Sequence, residues 1–441
     1  MFKLFDTLTR QKADINAVNG NTINLYSCGP TVYDKAHIGN LRSFIFADTL
    51  RLALENSGVN VNWVMNITDV DDKTIKKAIA KYGPGATPAQ LLELTDGYYA
   101  DFIADLQKLN IDTNKIKIIK VSDVIKEIQD FVVELISLGY GYEAEDGSVY
   151  FSIEKYQKDF GDYGLLAGEK FMEGKRVNAR IKNDEYDKDS LSDFALWKKH
   201  DEADGQIFWT HDKLAPGRPG WHIECSAINR IGFSGEPTDI HTGGTDLIFP
   251  HHTNEIAQSQ PIAIPFVRRW AHNTFLTVDG KKMSKSLGNL FTLAEVEEKG
   301  FHPLAFKYLC LNSHYRGQMN FTWQSLQASE AGLEKLYSKL GSASADLLTP
   351  LQDDLNTPEA LANLHSQGTD KKSLLALGLP AENPFKQGPI EIPEFITELS
   401  SERTKAKQDK NFALADELRK QIEDLGFTIN DTPSGPEIVK K

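Results

Sequence analysis

Four stretches of this sequence carry residue types that could do chemistry together. Metal-ligand types occur at Cys28, at Cys225 and in the run His251-His252-Thr253-Asn254-Glu255. His251 and Glu255 are four residues apart, so on a helix both point the same way, while His252 is turned about 100° from that face. Two thiolates, one imidazole and one carboxylate make a sensible zinc set. The ligands are scattered, however, and spacing alone leaves open a packed core cysteine and a surface histidine. His37-Ile38-Gly39-Asn40 is placed to start a helix after a strand. Free N–H groups and partial positive charge at such a helix start suit a phosphate, and Gly39 lets a ligand approach the backbone closely. An ordinary helix start with a surface histidine is the other reading. Lys282-Met283-Ser284-Lys285-Ser286 forms a third stretch, cationic and rich in hydroxyls. Arg268, Arg269, Lys281, Lys282 and Lys285 stand there against Asp279 alone. Two lysines three apart can hold a leaving polyphosphate, though a solvated basic loop reads the same way. Gly243-Gly244-Thr245-Asp246 is a tight loop whose carboxylate can take a ribose hydroxyl, or else a plain β-turn.

The elements that must position these residues are partly legible. Ile23 and Leu25 alternate with polar residues up to Cys28, which reads as a strand broken by Gly29-Pro30. Leu41, Phe44, Ile45 and Leu52 then lie at helical spacing, and Gly58 suits the residue just past a helix end. Val59, Val61, Trp63, Met65 and Ile67 alternate as a second strand. Strand, helix and strand within about 45 residues make a βαβ unit, the building block of parallel sheets. Residues 115–215 differ: charges, Gly and short strands such as Ser148–Ile153 dominate, and the stretch reads as an insertion. From Pro219 to Gly288 the chain is again rich in His, Gly and Trp. Thr292 with Glu295 forms a capping box, and Thr357-Pro358 starts a further helix. The Pro-, Gly-, Ser- and Asn-rich stretch 341–395 is expected to hold one short helix at most. A last helix is expected from about Ser401 to Leu425, with Phe412, Ala415, Leu418, Ile422 and Leu425 on its buried face and Gly426 ending it. Cys310, in the apolar run Tyr308–Leu311, reads as core.

With 441 residues, 40% hydrophobic and 25% charged, the chain is of ordinary globular composition. Fibrous, coiled-coil and disordered classes are excluded. No apolar run reaches the ~18 residues of a membrane span. Met1 to Lys12 lacks the apolar core of a signal peptide, and three distant cysteines are no disulfide framework, so a cytoplasmic protein is expected. A net charge of −13 argues against a broad nucleic-acid footprint, although basic residues can cluster locally.

Taken in order, these features resemble the cysteinyl-tRNA synthetases, a family of class I aminoacyl-tRNA synthetases, over nearly the whole chain. The resemblance runs through Leu4 to Arg10, Cys28-Gly29-Pro30-Thr31-Val32-Tyr33-Asp34 and Asn66-Ile67-Thr68-Asp69-Val70-Asp71-Asp72-Lys73. It is most specific in Gly217-Arg218-Pro219-Gly220-Trp221-His222-Ile223-Glu224-Cys225-Ser226-Ala227 and in Asp239-Ile240-His241 through Phe249-Pro250-His251-His252 to Ser259; the KMSKS pentapeptide is complete. The resemblance implies a doubly wound, Rossmann-like α/β catalytic domain in two halves, 1–115 and 216–280. An inserted connective domain (116–215), a KMSKS-bearing stem-contact region (281–320), a shortened helical bundle (321–395) and an anticodon-binding module (396–441) complete the expected chain. It implies zinc on Cys28, Cys225, His251 and Glu255. It places Thr31, His37, Gly39, Asn40, Gly243, Asp246, Lys282 and Lys285 at the ATP, with His37, Asn40, Lys282 and Lys285 catalytic. Cys28, Gly29, Thr68 and Trp221 would line the amino-acid pocket.

The implied reaction joins L-cysteine to tRNA(Cys) through cysteinyl-adenylate, with Mg²⁺ accompanying the ATP and a monomer as the expected state. Zinc has a rationale here. Serine is nearly isosteric with cysteine, and a shape pocket separates such pairs by only ~10–200-fold. A metal that takes the substrate sulfur as thiolate discriminates on chemistry instead. Two departures stand out: Asn40 occupies the place of the second histidine of the family's HIGH motif, and Ile438 follows Pro436-Glu437 where a tryptophan is usual. Residues 396–441 carry eight basic and nine acidic side chains, no cationic footprint. Two other readings are a sibling ligase that joins cysteine to a small amine and an inactive relative that binds tRNA or senses cysteine. The first lacks the 396–441 module, and the intact KMSKS and ligand set weigh against the second.

Overall fold

The computed structural model describes residues 2–17, 20–168, 176–178, 190–262, 266–284, 287–341, 345–386, 393–432 and 435–440. The chain forms two compact units, residues 1–381 and 382–441.

The first unit is built on a parallel sheet. Its strands are β1 (Thr22–Ser27), β2 (Asn60–Ile67), β3 (Ile116–Lys120), β4 (Ile240–Gly244) and β5 (Trp270–Asn273). Their spatial order is β5-β4-β1-β2-β3, every pair parallel. This is the doubly wound order, in which the direction of winding reverses between β1 and β4 and a ligand crevice opens at their carboxyl ends. The expected βαβ unit is present: helix α1 (Ile38–Asn56) joins β1 to β2, and Gly58, at φ +86°, follows its cap at Ser57. α1 buries residues all round its axis, the mark of a helix packed on more than one side. Helix α2 (Trp221–Gly232) lies so close to β2 that a Cβ on Gly232 would meet Val64 at 2.6 Å.

The edge strand β3 lies just past residue 115, so the parallel sheet reaches into the stretch expected as an insertion. Its two lysines, Lys117 and Lys120, and its partial exposure suit an edge rather than a buried strand. Between β3 and α2 sits a five-stranded antiparallel sheet of Gly141–Glu143, Val149–Phe151, Phe194–Lys199, Trp209–His211 and Leu214–Pro219. The strand expected over Ser148–Ile153 is the second of these. Helix α3 (Thr253–Ser259) follows β4, and beyond β5 strands Leu276–Val278, Lys281–Lys282 and Met319–Phe321 form a small sheet.

Several helices after residue 290 begin at side-chain caps. Thr292 accepts from the Glu295 N–H, as expected. The stretch 341–395 departs from expectation: its described residues hold three helices, Leu348–Gln352, Thr357–Gln367 and Lys371–Ala376, and a fourth begins at Glu394. Caps at Asn356 and Asp370 start two of them, and burial of Leu351, Leu361, Leu364 and Leu374 outweighs the loop-like composition.

In the second unit the single helix expected over 401–425 is two, Glu394–Gln408 and Phe412–Asp424. The break is local chemistry: Lys410 takes φ +58°, and the Asn411 side chain caps the next helix through the Leu414 N–H. Ala415, Leu418 and Ile422 are buried as expected, but Phe412 and Leu425 are 61% and 49% exposed. A hairpin, Phe427–Thr432 with Gly435–Lys440, closes the unit, and Ile396, Ile422, Phe427 and Ile429 form its core. Among the described residues no helix is long and apolar enough to cross a membrane.

Candidate active site

Cys28 follows β1, Cys225 lies on α2, and His251 and Glu255 flank the start of α3. The fold brings these four scattered residues together. Cys28 Sγ is 3.7 Å from both Cys225 Sγ and Glu255 Oε1. His251 Nε2 is 3.3 Å from Cys225 Sγ and 3.4 Å from Glu255 Oε1. The two sulfurs are too far apart for a disulfide, whose bond is about 2.0 Å. These separations instead match the edges of a tetrahedron, roughly 3.3–3.8 Å for zinc bonds of about 2.0–2.3 Å. One ligand atom from each of the four lies within 4.8 Å of the others, and Cys225, His251 and Glu255 are buried. The residues therefore fit zinc in donor type, number and spacing.

Electrostatics point the same way. Burial raises the Cys28 thiol well above its ordinary range, and the neighbouring Cys225 and Glu255 add to the rise. Burial also pushes Cys225 up, but its hydrogen bond with Cys28 and the charge of His251 overcome this and bring it to about 6. His251 is lowered by burial and raised more by the Cys225 thiolate and Glu255. Ligands that share protons this closely are poised to give them up to a divalent cation.

Four further histidines surround the cluster. His241 Nε2 lies 3.0 Å from Glu255 Oε2 and His222 Nδ1 3.0 Å from His251 Nδ1, so each orients a candidate ligand. His252 Nε2 is 3.4 Å from Cys28 Sγ, and its Nδ1 is 2.7 Å from His272 Nε2. Cys28, His241, His252 and Glu255 thus form an overlapping candidate set. Helical spacing had turned His252 away from the His251–Glu255 face. His252 keeps right-handed helical backbone (φ −67°, ψ −30°) and stands three residues before Glu255, a spacing at which helix side chains also meet; its Nε2 is 3.8 Å from Glu255 Oε1. Burial lowers His222, His252 and His272, the last to about 3, and keeps them neutral. The signal for these residues was the density of histidine after Pro219.

Gly29 follows Cys28 directly, and Trp221 stands on α2 four residues before Cys225. The Trp221 ring sits over the His251 ring, centroids 4.3 Å apart. The Thr68 hydroxyl donates to Glu224 Oε2 at 3.0 Å, and Val32 N–H donates to the Thr68 carbonyl at 3.0 Å. A Cβ on Gly29 would lie 1.7 Å from the Asn66 carbonyl oxygen, a backbone atom that cannot rotate away. Gly29→Ala is therefore expected to destabilise the protein by at least about 1–3 kcal/mol, the usual range for overpacking, read as a lower midpoint in chemical denaturation.

The candidate nucleotide residues gather at the same edge of the sheet. His37 caps α1: its Nδ1 accepts from the Asn40 N–H at 3.2 Å, and Asn40 Oδ1 accepts from the His37 N–H at 3.3 Å. The Asn40 side chain thus serves the helix start, and a neutral His37 carries its proton on Nε2. A Cβ on Gly39 would lie 3.1 Å from Met283 Sδ, which places the KMSKS stretch against the first turn of α1. The Ile38 N–H donates to the Phe291 carbonyl at 2.8 Å. Asn289 pins the stretch from within, bonding the Ser284 N–H at 2.9 Å and the Lys282 carbonyl at 3.1 Å. The Lys282 side chain is exposed; Lys285 lies outside the described residues. Gly243 and Gly244 end β4: a Cβ on the first would lie 2.6 Å from the His252 ring and one on the second 2.3 Å from Asp246 Oδ1. Asp246 itself is exposed. Thr31 pairs with Thr68 across the ends of β1 and β2.

Comparison with known proteins agrees with this layout. Residues 14–331 match the tRNA synthetases class I (C) catalytic domain. The cysteine–tRNA ligase of Protochlamydia amoebophila is 38% identical over 479 aligned positions, covering 100% of this chain and 98% of the relative. That of Opitutus terrae is 41% identical over 460 positions, covering 98% of each. In fold, the chain is similar to the Mycobacterium tuberculosis methionyl-tRNA synthetase solved with methionyl-adenylate, at a TM-score of 0.56 and 12% identity, over 87% of this chain and 84% of that one. The chain belongs to the cysteine–tRNA ligase family and has a class I synthetase catalytic domain.

Proposed function

We propose that this protein activates L-cysteine with ATP to cysteinyl-adenylate and transfers the cysteinyl group to tRNA(Cys). The observation that carries this reading is the Cys28–Cys225–His251–Glu255 cluster, three of its residues buried, at the carboxyl ends of β1 and β4. Bound zinc would take the substrate sulfur as thiolate and disfavour the neutral hydroxyl of serine. Thr68, Gly29 and Trp221 shape the space next to it. The substrate carboxylate oxygen attacks the α-phosphorus and pyrophosphate, accompanied by Mg²⁺, leaves. The terminal ribose hydroxyl of tRNA then attacks the activated carbonyl and AMP leaves. No protein nucleophile is needed. His37 through Nε2–H, the partial positive charge at the start of α1 and the ammonium groups of Lys282 and Lys285 offset the charge on the transferring phosphates, while Thr31, Gly39, Asn40, Gly243 and Asp246 shape the nucleotide site. Every group named belongs to one chain, which suits action as a monomer. The segment 396–441 would present the anticodon-binding surface.

The test is ATP-dependent attachment of labelled cysteine to purified tRNA, with serine as control. Charging with cysteine and not serine is the expected result. No charging, with cysteine-dependent release of pyrophosphate, would replace this reading by a ligase acting on a small amine. No release at all would leave a relative without catalysis.

A further inference from the structure

Asn66 is the penultimate residue of β2, buried at 1% exposure, with its amide bonded on both sides. Its Oδ1 accepts from the Gly29 N–H at 2.8 Å and from the Tyr26 hydroxyl at 3.1 Å. Its Nδ2 donates to the Thr68 hydroxyl at 3.2 Å, and that hydroxyl donates its own proton to Glu224 Oε2 at 3.0 Å. These partners belong to three different walls of the candidate pocket. Gly29 follows Cys28 at the end of β1. Thr68 lies just past β2. Glu224 sits on α2, directly before Cys225 and three residues after Trp221.

We propose that Asn66 is the positioning residue that sets the spacing between the thiol end and the ammonium end of the amino-acid pocket. The proposal rests on the functional reading above. Its physical basis is the polarity of the amide. With its proton committed to a buried carboxylate, the Thr68 hydroxyl accepts from Asn66 and keeps its remaining lone pair for a donor such as a substrate ammonium. Only an amide offers an acceptor toward Gly29 and Tyr26 together with a donor toward Thr68. A carboxylate of the same size would keep the first two bonds, reverse the third, compete with Glu224 for the Thr68 proton and add a like charge beside it. A methyl group would release Gly29, and with it the peptide that holds Cys28.

The experiment compares Asn66→Asp and Asn66→Ala with the full-length wild-type protein. In cysteine-dependent ATP–pyrophosphate exchange, Asn66→Asp is expected to raise the KM for cysteine at least about tenfold and to leave the KM for ATP within twofold; general loss of structure would not split the two constants. In chelator competition, Asn66→Ala is expected to weaken zinc binding by about tenfold, the lower end of what outer partners of a metal ligand contribute. Asn66→Asp keeps the bond to Gly29 and should bind zinc as the wild type does. A cysteine KM within twofold of wild type in Asn66→Asp, or unchanged zinc affinity in Asn66→Ala, overturns the proposal. The zinc measurement needs no substrate. If the wild type binds zinc but exchanges nothing with cysteine, the functional reading fails, and the effect of Asn66→Ala on zinc affinity still decides for or against the brace. If the alanine variant does not fold, the isosteric aspartate variant carries the test.

Discussion

Cys225→Ser should lower the preference for cysteine over serine by about 100-fold or more, down to the ~10–200-fold that pocket shape alone supplies. The reason lies in ionisation. In the wild-type site the Cys225 thiol, raised by burial but held down by Cys28 and His251, sits at about 6, so at neutral pH it is available as a thiolate. A serine hydroxyl in the same place keeps its proton and is a poor zinc ligand. It also removes the thiolate that holds His251 above its ordinary range. Both losses weaken the cluster, and the remaining oxygen and nitrogen donors no longer favour a sulfur substrate. The measurement is kcat/KM for cysteine and for serine in pyrophosphate exchange, read beside the zinc content of the same preparation. An unchanged ratio between the two amino acids would defeat recognition through the metal, whether or not the zinc is retained.

The second large effect concerns stability. On α1, Asp48 pairs with Arg51 at 2.8 Å and with Lys307 of the helix Pro303–Leu311 at 3.2 Å, and Arg51 also pairs with Glu55 at 2.6 Å. Lys307 is fully buried and Asp48 is 1% exposed. Burial lowers the Lys307 ammonium from its ordinary range against the opposing pull of Asp48, so the pair is held together at a desolvation cost. The site is tight: a Cβ on Gly378, which has φ +68°, would lie 2.5 Å from Lys307 Nζ. Asp48→Ala leaves two cations facing one another in a dry interior. It should cost about 3–5 kcal/mol of unfolding free energy, as breaking a buried pair does. Replacing both members of the pair, Asp48→Leu with Lys307→Met, should recover much of that loss, because apolar groups of similar size remove the stranded charge. Denaturant titration of the single and double variants tests both statements; a single-variant loss below about 1 kcal/mol would show that Asp48 is not the keystone of this cluster. The consequence reaches the site, since α1 begins at the candidate nucleotide residues.

How far the sequence led is clearest at particular residues. Alternation over Val59–Ile67 and helical spacing from Leu41 to Leu52 specified the first βαβ unit, because period-2 and period-3.6 burial are local properties of a chain against one core. Residue types at Cys28, Cys225, His251 and Glu255 named a zinc set, and Thr292 with Glu295 named a helix start that the fold keeps. Reading the set as one cluster took the resemblance, since 197 residues separate Cys28 from Cys225. The parallel pairing of β1 with β2 and the packing of α2 on β2 bring those sulfurs to 3.7 Å. His252, three residues before Glu255 on helical backbone, also reaches the cluster, from beside the His251–Glu255 face. Tertiary burial also made helices of the Pro- and Gly-rich stretch after residue 341, and a left-handed Lys410 divided the last helix in two. The sequence by itself determined which chemistry was possible and which elements form locally. The tertiary structure decided which side chains meet, because distances between strands far apart in the chain depend on register and packing that no local pattern encodes.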